Sequence, residues 1–256
     1  MRTPIRPRFP WLIAVAALLA CAVPAGASRV GIDRGTFVVY SWDRPVGRET
    51  FSIENVNDTI VVASDVAYTL DLGKGPEDVT KTMRYAASAG DWRFIRYTSV
   101  QTVRGTEYST GGVPGTDTTV SVYHEVQRNG TADILLRPRG RLFVLDAMLY
   151  ANVQAVLSSL GANQDSADIA VLAFGNRDTV VTATLRRAGT DKLSWGGKPV
   201  TVRTLRYEQS GFGFDVWVDP AGRVLRVSHV PSGLRVDREP PAVKRAATKP
   251  KPKAGG

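Results

Sequence analysis

The chain has only two histidines, His124 and His229, and they are the first residues to consider for chemistry. His124 alternates with Val120 and Val122, and His229 alternates with Leu225 in the same way. Alternation places side chains on one face of a strand, so we expect both imidazoles to be buried or half-buried strand residues. Neither belongs to an H-x-x-x-H pair or a similar zinc-binding spacing. The sequence therefore predicts no metal site.

A nucleophilic serine has no recognisable setting in this sequence. No G-x-S-x-G motif is present, and the glycines around Lys74 lack the spacing of a phosphate-binding loop. A hydrolase would instead need a cleft in which His124 or His229 meets a carboxylate and a hydroxyl group. Without such a signature, we predict a protein that is not an enzyme and needs no cofactor.

The first 27 residues have the composition of an export signal. Three arginines precede an apolar run at residues 11–20, and an Ala-Gly-Ala sequence ends at Ala27. This order is typical of a secretory signal peptide that is cleaved after Ala27, so we expect an exported, periplasmic protein. Two alternatives stay open: the segment is retained as a membrane anchor, or the chain is processed at Cys21 and lipid-anchored there.

The net charge of +9 is concentrated at the two ends of the chain. The signal contributes three arginines and residues 237–256 contribute a net +4, which leaves +2 for residues 28–236. This central part is not basic enough to suggest nucleic-acid binding. The Pro/Lys-rich tail at 237–256 is expected to be disordered. It is either a solvated end or a segment that contacts an anionic envelope polymer.

Most of the chain consists of β-branched and aromatic segments separated by Gly, Asn and Pro turns, as in antiparallel sheets. Asn129-Gly130, for example, predicts a hairpin between residues 118–126 and 132–136. At residues 142–160, apolar residues recur at steps of three and four, which predicts one long helix ending at Gly161. A second stripe on it is polar. We predict a mainly β domain at 28–236: an antiparallel curved sheet or half-barrel with the helix on its concave face.

A large half-barrel often encloses a space that side chains do not fill, and such a space binds apolar molecules. The candidate lining residues come from the apolar side of the helix and from two sheet tryptophans. They are Trp42, Leu145, Met148, Leu149, Asn152 and Trp217. Asn152 is polar on the apolar side, so it must either find a partner in the sheet or face a cavity.

Several short motifs carry a resemblance to known proteins. The chain opens with Tyr40-Ser41-Trp42 and a turn at residues 45–47, and it closes with a hairpin at residues 217–225. In these motifs it resembles a group of uncharacterised exported bacterial β-rich proteins, similar in architecture to periplasmic carriers that shuttle lipoproteins to the outer membrane. It departs from the carriers in having one clear helix instead of several.

We predict a monomer that binds or carries an apolar or amphipathic envelope molecule, a lipid or an acylated peptide, in a hollow between sheet and helix. The alternative hypothesis is a structural or assembly factor of the envelope with a filled core and a basic tail. A continuous apolar cavity of roughly a few hundred Å³ distinguishes the first hypothesis from the second.

Overall fold

The computed structural model describes residues 29–71, 75–127, 129–137, 140–160, 164, 166–175 and 177–241. The first eight strands are β1 (Arg29–Ser41), β2 (Arg44–Val56), β3 (Thr59–Asp71), β4 (Pro76–Ser88), β5 (Phe94–Val103), β6 (Thr106–Pro114), β7 (Thr119–Val126) and β8 (Asn129–Leu136). They are followed by β9 (Leu142–Leu145) and the helix α1 (Ala151–Leu160). The last six strands are β10 (Ser166–Ala173), β11 (Thr179–Trp195), β12 (Lys198–Gln209), β13 (Phe212–Val218), β14 (Val224–His229) and β15 (Leu234–Arg238).

All fifteen strands belong to one sheet, whose order runs from β8 back to β1, then from β15 back to β9. Neighbouring strands are antiparallel, except for the parallel pair β9 and β10. The predicted class, mainly β with a single helix, is confirmed. The sheet is not a closed barrel, because β8 and β9 are the two ends of the order and do not pair with each other.

The sheet curls so that its β9–β10 end lies on the inner face of the earlier strands. Arg93, just before β5, forms a backbone bridge with Arg141, just before β9. Phe174, at the end of β10, stacks on Tyr97 of β5 with 5.4 Å between ring centroids. Alternating residues of the strands, such as Val79, Met83 and Tyr85 of β4, face this interior and form the core.

The predicted helix at 142–160 is correct only in its second half. Leu142–Leu145 is the short strand β9, which pairs with Ala170–Ala173 of β10, and the helix begins at Ala151. A run of four apolar residues fits a buried strand as well as it fits a helix face, so periodicity alone does not distinguish them. The helix ends at Leu160, as predicted; Gly161, which we expected to follow its last turn, lies outside the described residues.

The sheet extends two residues into the segment that we assigned to the tail. Arg238, the last residue of β15, is only 6% exposed, and its guanidinium contacts both carboxylate oxygens of Asp33 at 2.6 and 2.8 Å. The same guanidinium lies over the Phe51 ring. Arg238 is thus part of the folded domain. The signal segment, Cys21 and residues 242–256 lie outside the described residues, so the predictions on export and on the tail are not tested.

Candidate functional site

Four of the predicted lining residues lie where the helix meets the sheet. Leu149 and Asn152 are buried, and Leu145 and Met148 are half-buried against the core. Met148 ends a turn with a positive φ of 70°, and its carbonyl accepts a hydrogen bond from the Tyr68 hydroxyl at 2.6 Å. Leu145 and Met148 precede the helix, and of these four residues only Leu145 borders the recess under it.

The prediction that Trp42 and Trp217 line the space between helix and sheet is wrong. Trp42 lies in the β1–β2 turn, is 71% exposed, and covers Gly233, where any side chain would collide with the indole ring. Trp217 points to the opposite face of β13 from its buried neighbours Val216 and Val218, and its indole N–H donates to Asp191 at 3.2 Å. Neither tryptophan lines the space between helix and sheet.

That space is almost filled. A recess of about 10 Å³ remains between the helix and the strands β11 to β13, roughly the room that one water molecule needs. Its walls are entirely apolar apart from one phenol, and are formed by Leu145, Val153, Val156, Leu157, Leu185, Tyr207 and Phe214. The hollow of several hundred Å³ that the carrier hypothesis requires is not present here.

A buried carboxylate fixes the start of the helix. Glu49 of β2 is fully buried and accepts hydrogen bonds from the backbone N–H of Tyr150 at 2.7 Å and of Ala151 at 3.1 Å, and from the Ser64 hydroxyl at 2.6 Å. It takes the place of a local N-cap residue. Burial raises the pKa of Glu49 from 4.5 to about 7, because desolvation outweighs the effect of these three donors.

The loop before the helix is held by a second buried carboxylate. Asp146 accepts hydrogen bonds from the Lys81 ammonium at 2.5 Å, the Tyr97 hydroxyl at 2.5 Å and the Ser99 hydroxyl at 3.2 Å. Burial, with Asp146 beside it, raises the pKa of Tyr97 well above 10, so this phenol stays protonated and donates. Further along the helix, the buried Gln154 donates to the Gly222 carbonyl in the β13–β14 turn and accepts from the backbone N–H of Val224, the first residue of β14. The predicted polar stripe therefore docks the helix on the sheet.

Asn152 is the exception in this polar docking. It is 3% exposed, and its Nδ2 has no hydrogen-bond partner. Within the described part of the chain, this Nδ2 group therefore finds no partner in the sheet, and Asn152 does not line the apolar recess. A buried amide without a partner costs roughly 1–3 kcal/mol.

A much larger space lies between the edge strand β8 and the loop that joins β10 to β11. This cleft has a volume of about 520 Å³. Its walls combine apolar, basic and acidic side chains and are formed by His124, Asp133, Ile134, Leu135, Gly175, Arg177 and Asp178. We refer to these seven residues as the edge cleft.

A hydrogen-bonded chain of hydroxyl, imidazole and carboxylate connects the sheet to the loop that borders the edge cleft. His124 Nε2 lies 2.5 Å from Asp178, and His124 Nδ1 lies 3.1 Å from the hydroxyl of Thr110, its cross-strand neighbour on β6. An ionised carboxylate only accepts, so Nε2 carries a proton, and in the neutral ring Nδ1 accepts from Thr110. The His124 and Phe174 rings pack perpendicular to each other, with 5.9 Å between their centroids, which helps to orient the imidazole.

His124 thus meets both a carboxylate and a hydroxyl group, as a hydrolase would require. These groups are nevertheless poorly placed for catalysis. The hydroxyl that His124 could activate belongs to Thr110, which is half-buried within the sheet and is not part of the cleft wall. The Asp178 side chain is only 7% exposed, and His124 supplies the hydrogen bond that this buried carboxylate needs. We therefore interpret the chain from Thr110 to Asp178 as support for the loop that forms the opposite wall.

The alternation of residues 120–126 singles out His124, but the rest of this site has no signal in the sequence. Asp178 is 54 residues from His124 in the chain, and no local motif connects them. Within the described residues, no three His, Cys, Asp or Glu side chains cluster in a way that could hold a metal ion. Among the same residues, no helix is long and apolar enough to cross a bilayer.

Comparisons with known proteins add little to this geometry. No family model matches the chain, and no curated protein matches it. The chain is similar to the crystal structure of a DUF1089 family protein from Pseudomonas aeruginosa, at 14% sequence identity and a TM-score of 0.48. That match covers 72% of this chain and 89% of the other. A likeness this distant carries no argument about function, and the similarity to lipoprotein carriers stays a prediction.

Proposed function

We propose that this protein is a non-enzymatic protein of the cell envelope that binds an amphipathic molecule in the edge cleft. The single observation that carries the proposal is the cleft itself, about 520 Å³ with apolar and charged groups on its walls. Ligand sites of this size commonly combine an apolar surface with a few polar groups that orient the ligand. The proposed binding site therefore lies at the edge of the sheet, because the space under the helix is filled.

The apolar part of the cleft is formed by β8. Ile134 is 73% exposed, and Leu135, on the other face of the strand, is half-buried beside it. Arg177 and Asp133 are exposed, and no ion pair involves either of them within the described part of the chain. A ligand with an apolar body and a polar head would contact both kinds of group.

The test uses the glycine in the cleft wall. A side chain added at Gly175 meets no side chain, and only the Arg177 carbonyl lies as close as 4.0 Å. Gly175→Trp should therefore fill part of the cleft without disturbing the fold. Gly90→Trp is the matched control, because Gly90 also has open space around it and lies outside the cleft.

The protein would be purified from an envelope fraction, examined by native mass spectrometry, and titrated with a dansyl-labelled fatty acid. We expect a bound lipid or acylated peptide, and saturable uptake of the probe by the wild type and Gly90→Trp. Gly175→Trp should bind the probe at least tenfold more weakly. A protein without bound ligand that also fails to take up the probe would refute the proposal.

The filled recess under the helix favours a second candidate, a structural or assembly factor of the envelope. In that case the basic residues beyond position 241 would contact an anionic polymer by charge attraction. Deleting residues 242–256 should then abolish co-sedimentation with lipopolysaccharide at low salt and leave probe uptake unchanged. Equal sedimentation of the full and the shortened chain would exclude this role for the tail.

A further inference from the structure

The two ends of the sheet differ in how well they are protected. At one end, β9 is covered by the helix, and three of its four residues are buried. At the other end, seven of the eight residues of β8 are exposed. Within the described residues, β8 hydrogen-bonds only with β7; part of β11 lies close to its other side but does not pair with it.

Natural edge strands are usually protected by lysines, prolines, bulges or short length. β8 has none of these features: its sequence is NGTADILL, and Asp133 is its only charged residue. Its pairing with β7 is regular over all eight residues, without a bulge. Two large aliphatic side chains on its outer face, Ile134 and Leu136, are 73% and 80% exposed. Such an edge can accept another strand.

The edge cleft limits what can pair there. The loop that contains Gly175, Arg177 and Asp178 forms the wall opposite β8, so a thin occupant fits more readily than the broad sheet of a second copy. A residue in a sheet occupies roughly 160 Å³, given strand spacings of about 4.8 Å, a sheet thickness of about 10 Å and a rise of about 3.3 Å per residue. The volume of 520 Å³ therefore matches about three residues of one extended strand.

We propose that the edge cleft binds an extended peptide, which adds to β8 as a sixteenth strand. The backbone of Asp133, Ile134 and Leu135 supplies the hydrogen bonds, and apolar side chains of the peptide cover Ile134 and Leu136. Arg177, which forms no ion pair within the described chain, would pair with an acidic side chain of the peptide. This inference rests on the proposed function and selects the peptide as the part of the ligand that is recognised.

The probe is a peptide with the sequence of β7, TVSVYHEV, because β7 is the strand that already pairs with β8 in a regular register. It also carries an acidic residue for Arg177. The matched control is the same peptide with its alternate amides N-methylated on the edge that would face β8. It keeps every side chain and loses the backbone donors. Binding to the full protein would be followed by fluorescence anisotropy and by hydrogen exchange of residues 130–136.

We expect saturable binding of the unmodified peptide, slower amide exchange in β8, and at least a tenfold loss of affinity on N-methylation. Ile134→Lys/Leu136→Lys should weaken binding by a similar factor, because the peptide would no longer cover apolar side chains. Val230→Lys is the control at a side chain that is equally exposed, also 73%.

Equal binding of the two peptides, or unchanged exchange in β8, would overturn the inference. The fatty-acid titration separates this result from failure of the proposed function. Uptake of the fatty acid without peptide binding leaves an amphipathic lipid as the ligand, whereas loss of both refutes the binding role as well.

Discussion

Lys81 and Asp146 form an ion pair inside the protein, with 2.5 Å between Nζ and Oδ1 and side chains that are only 5% and 8% exposed. The pair joins β4 to the loop that leads into the helix. Removing one partner leaves an uncompensated charge in the interior, which typically costs 3–5 kcal/mol. We therefore expect Lys81→Met to lower the free energy of unfolding by about 3–5 kcal/mol, as measured by urea denaturation.

The exposed pair Arg48–Glu239 is the matched control, since its 2.7 Å separation is similar but its side chains are 60% and 37% exposed. Arg48→Met should cost less than about 1 kcal/mol. The double variant Lys81→Met/Asp146→Leu should recover part of the lost stability, because neither charge then remains buried. A loss for Lys81→Met as small as that for Arg48→Met would contradict the buried pair.

Glu49 should make the fold less stable as the pH rises. Its carboxyl has an ordinary pKa of 4.5 in the unfolded chain and a pKa of about 7 in the folded protein, because burial disfavours the charge. The folded state therefore holds a proton that the unfolded state releases between these values. The stabilisation is complete below pH about 4.5 and is lost as the pH rises through about 7; it amounts to on the order of 3 kcal/mol.

Glu49→Gln removes this titration. Relative to the wild type, the variant should gain stability between pH 5 and pH 9, by about 2–3 kcal/mol, in urea denaturation at each pH. Glu107→Gln, at an exposed position, should show no such trend. Parallel stability curves for the wild type and Glu49→Gln would show that Glu49 does not change its protonation on unfolding.

Asn152 offers a stabilising substitution. Its buried Nδ2 has no partner, and an aliphatic side chain of similar size would remove the cost of burying that amide. Asn152→Leu should raise the free energy of unfolding by about 1–2 kcal/mol, seen as a higher urea midpoint with an unchanged slope. A lower midpoint would mean that the amide has a partner in solution.

His124 is expected to stabilise the loop that carries Asp178. Replacing it with leucine leaves the carboxylate of Asp178, 7% exposed, without its imidazole partner, at a cost of about 1–3 kcal/mol. Hydrogen exchange at residues 174–180 should accelerate in His124→Leu. The control is His229→Leu, because that histidine contacts an exposed serine. Unchanged exchange in His124→Leu would argue against a supporting role.

Local patterns predicted much of the fold. The hairpin of β7 and β8 forms as predicted, although Asn129 and Gly130 lie in β8 and pair with β7 instead of making the turn. Gly196 and Gly197, both at positive φ, join β11 to β12. These features depend on residues close in the chain: turn residues that tolerate positive φ and side chains that alternate between two faces. The second half of the helix was predicted for the same reason, from its periodic apolar positions.

The wrong predictions concern partners that are distant in the chain. Leu142–Leu145 is a strand because β10 pairs with it, and the helix begins at Ala151 because Glu49, about 100 residues away, caps its first amides. Trp42 is a large aromatic residue of the kind that lines binding sites, but the β1–β2 turn directs its side chain outward, over Gly233. Such contacts have no local signal, since many different pairings satisfy the same pattern of apolar residues.

The sequence by itself therefore determined the class of the fold, the single helix and most hairpins, because propensity and periodicity act over a few residues. Only the tertiary structure decided that the space under the helix is filled and that the open space lies beside β8. Both facts depend on how far the sheet curls, which brings Asp178 against His124 and leaves one edge uncovered. That curvature is the sum of the twists and packing of fifteen strands, and no short stretch of the chain encodes it.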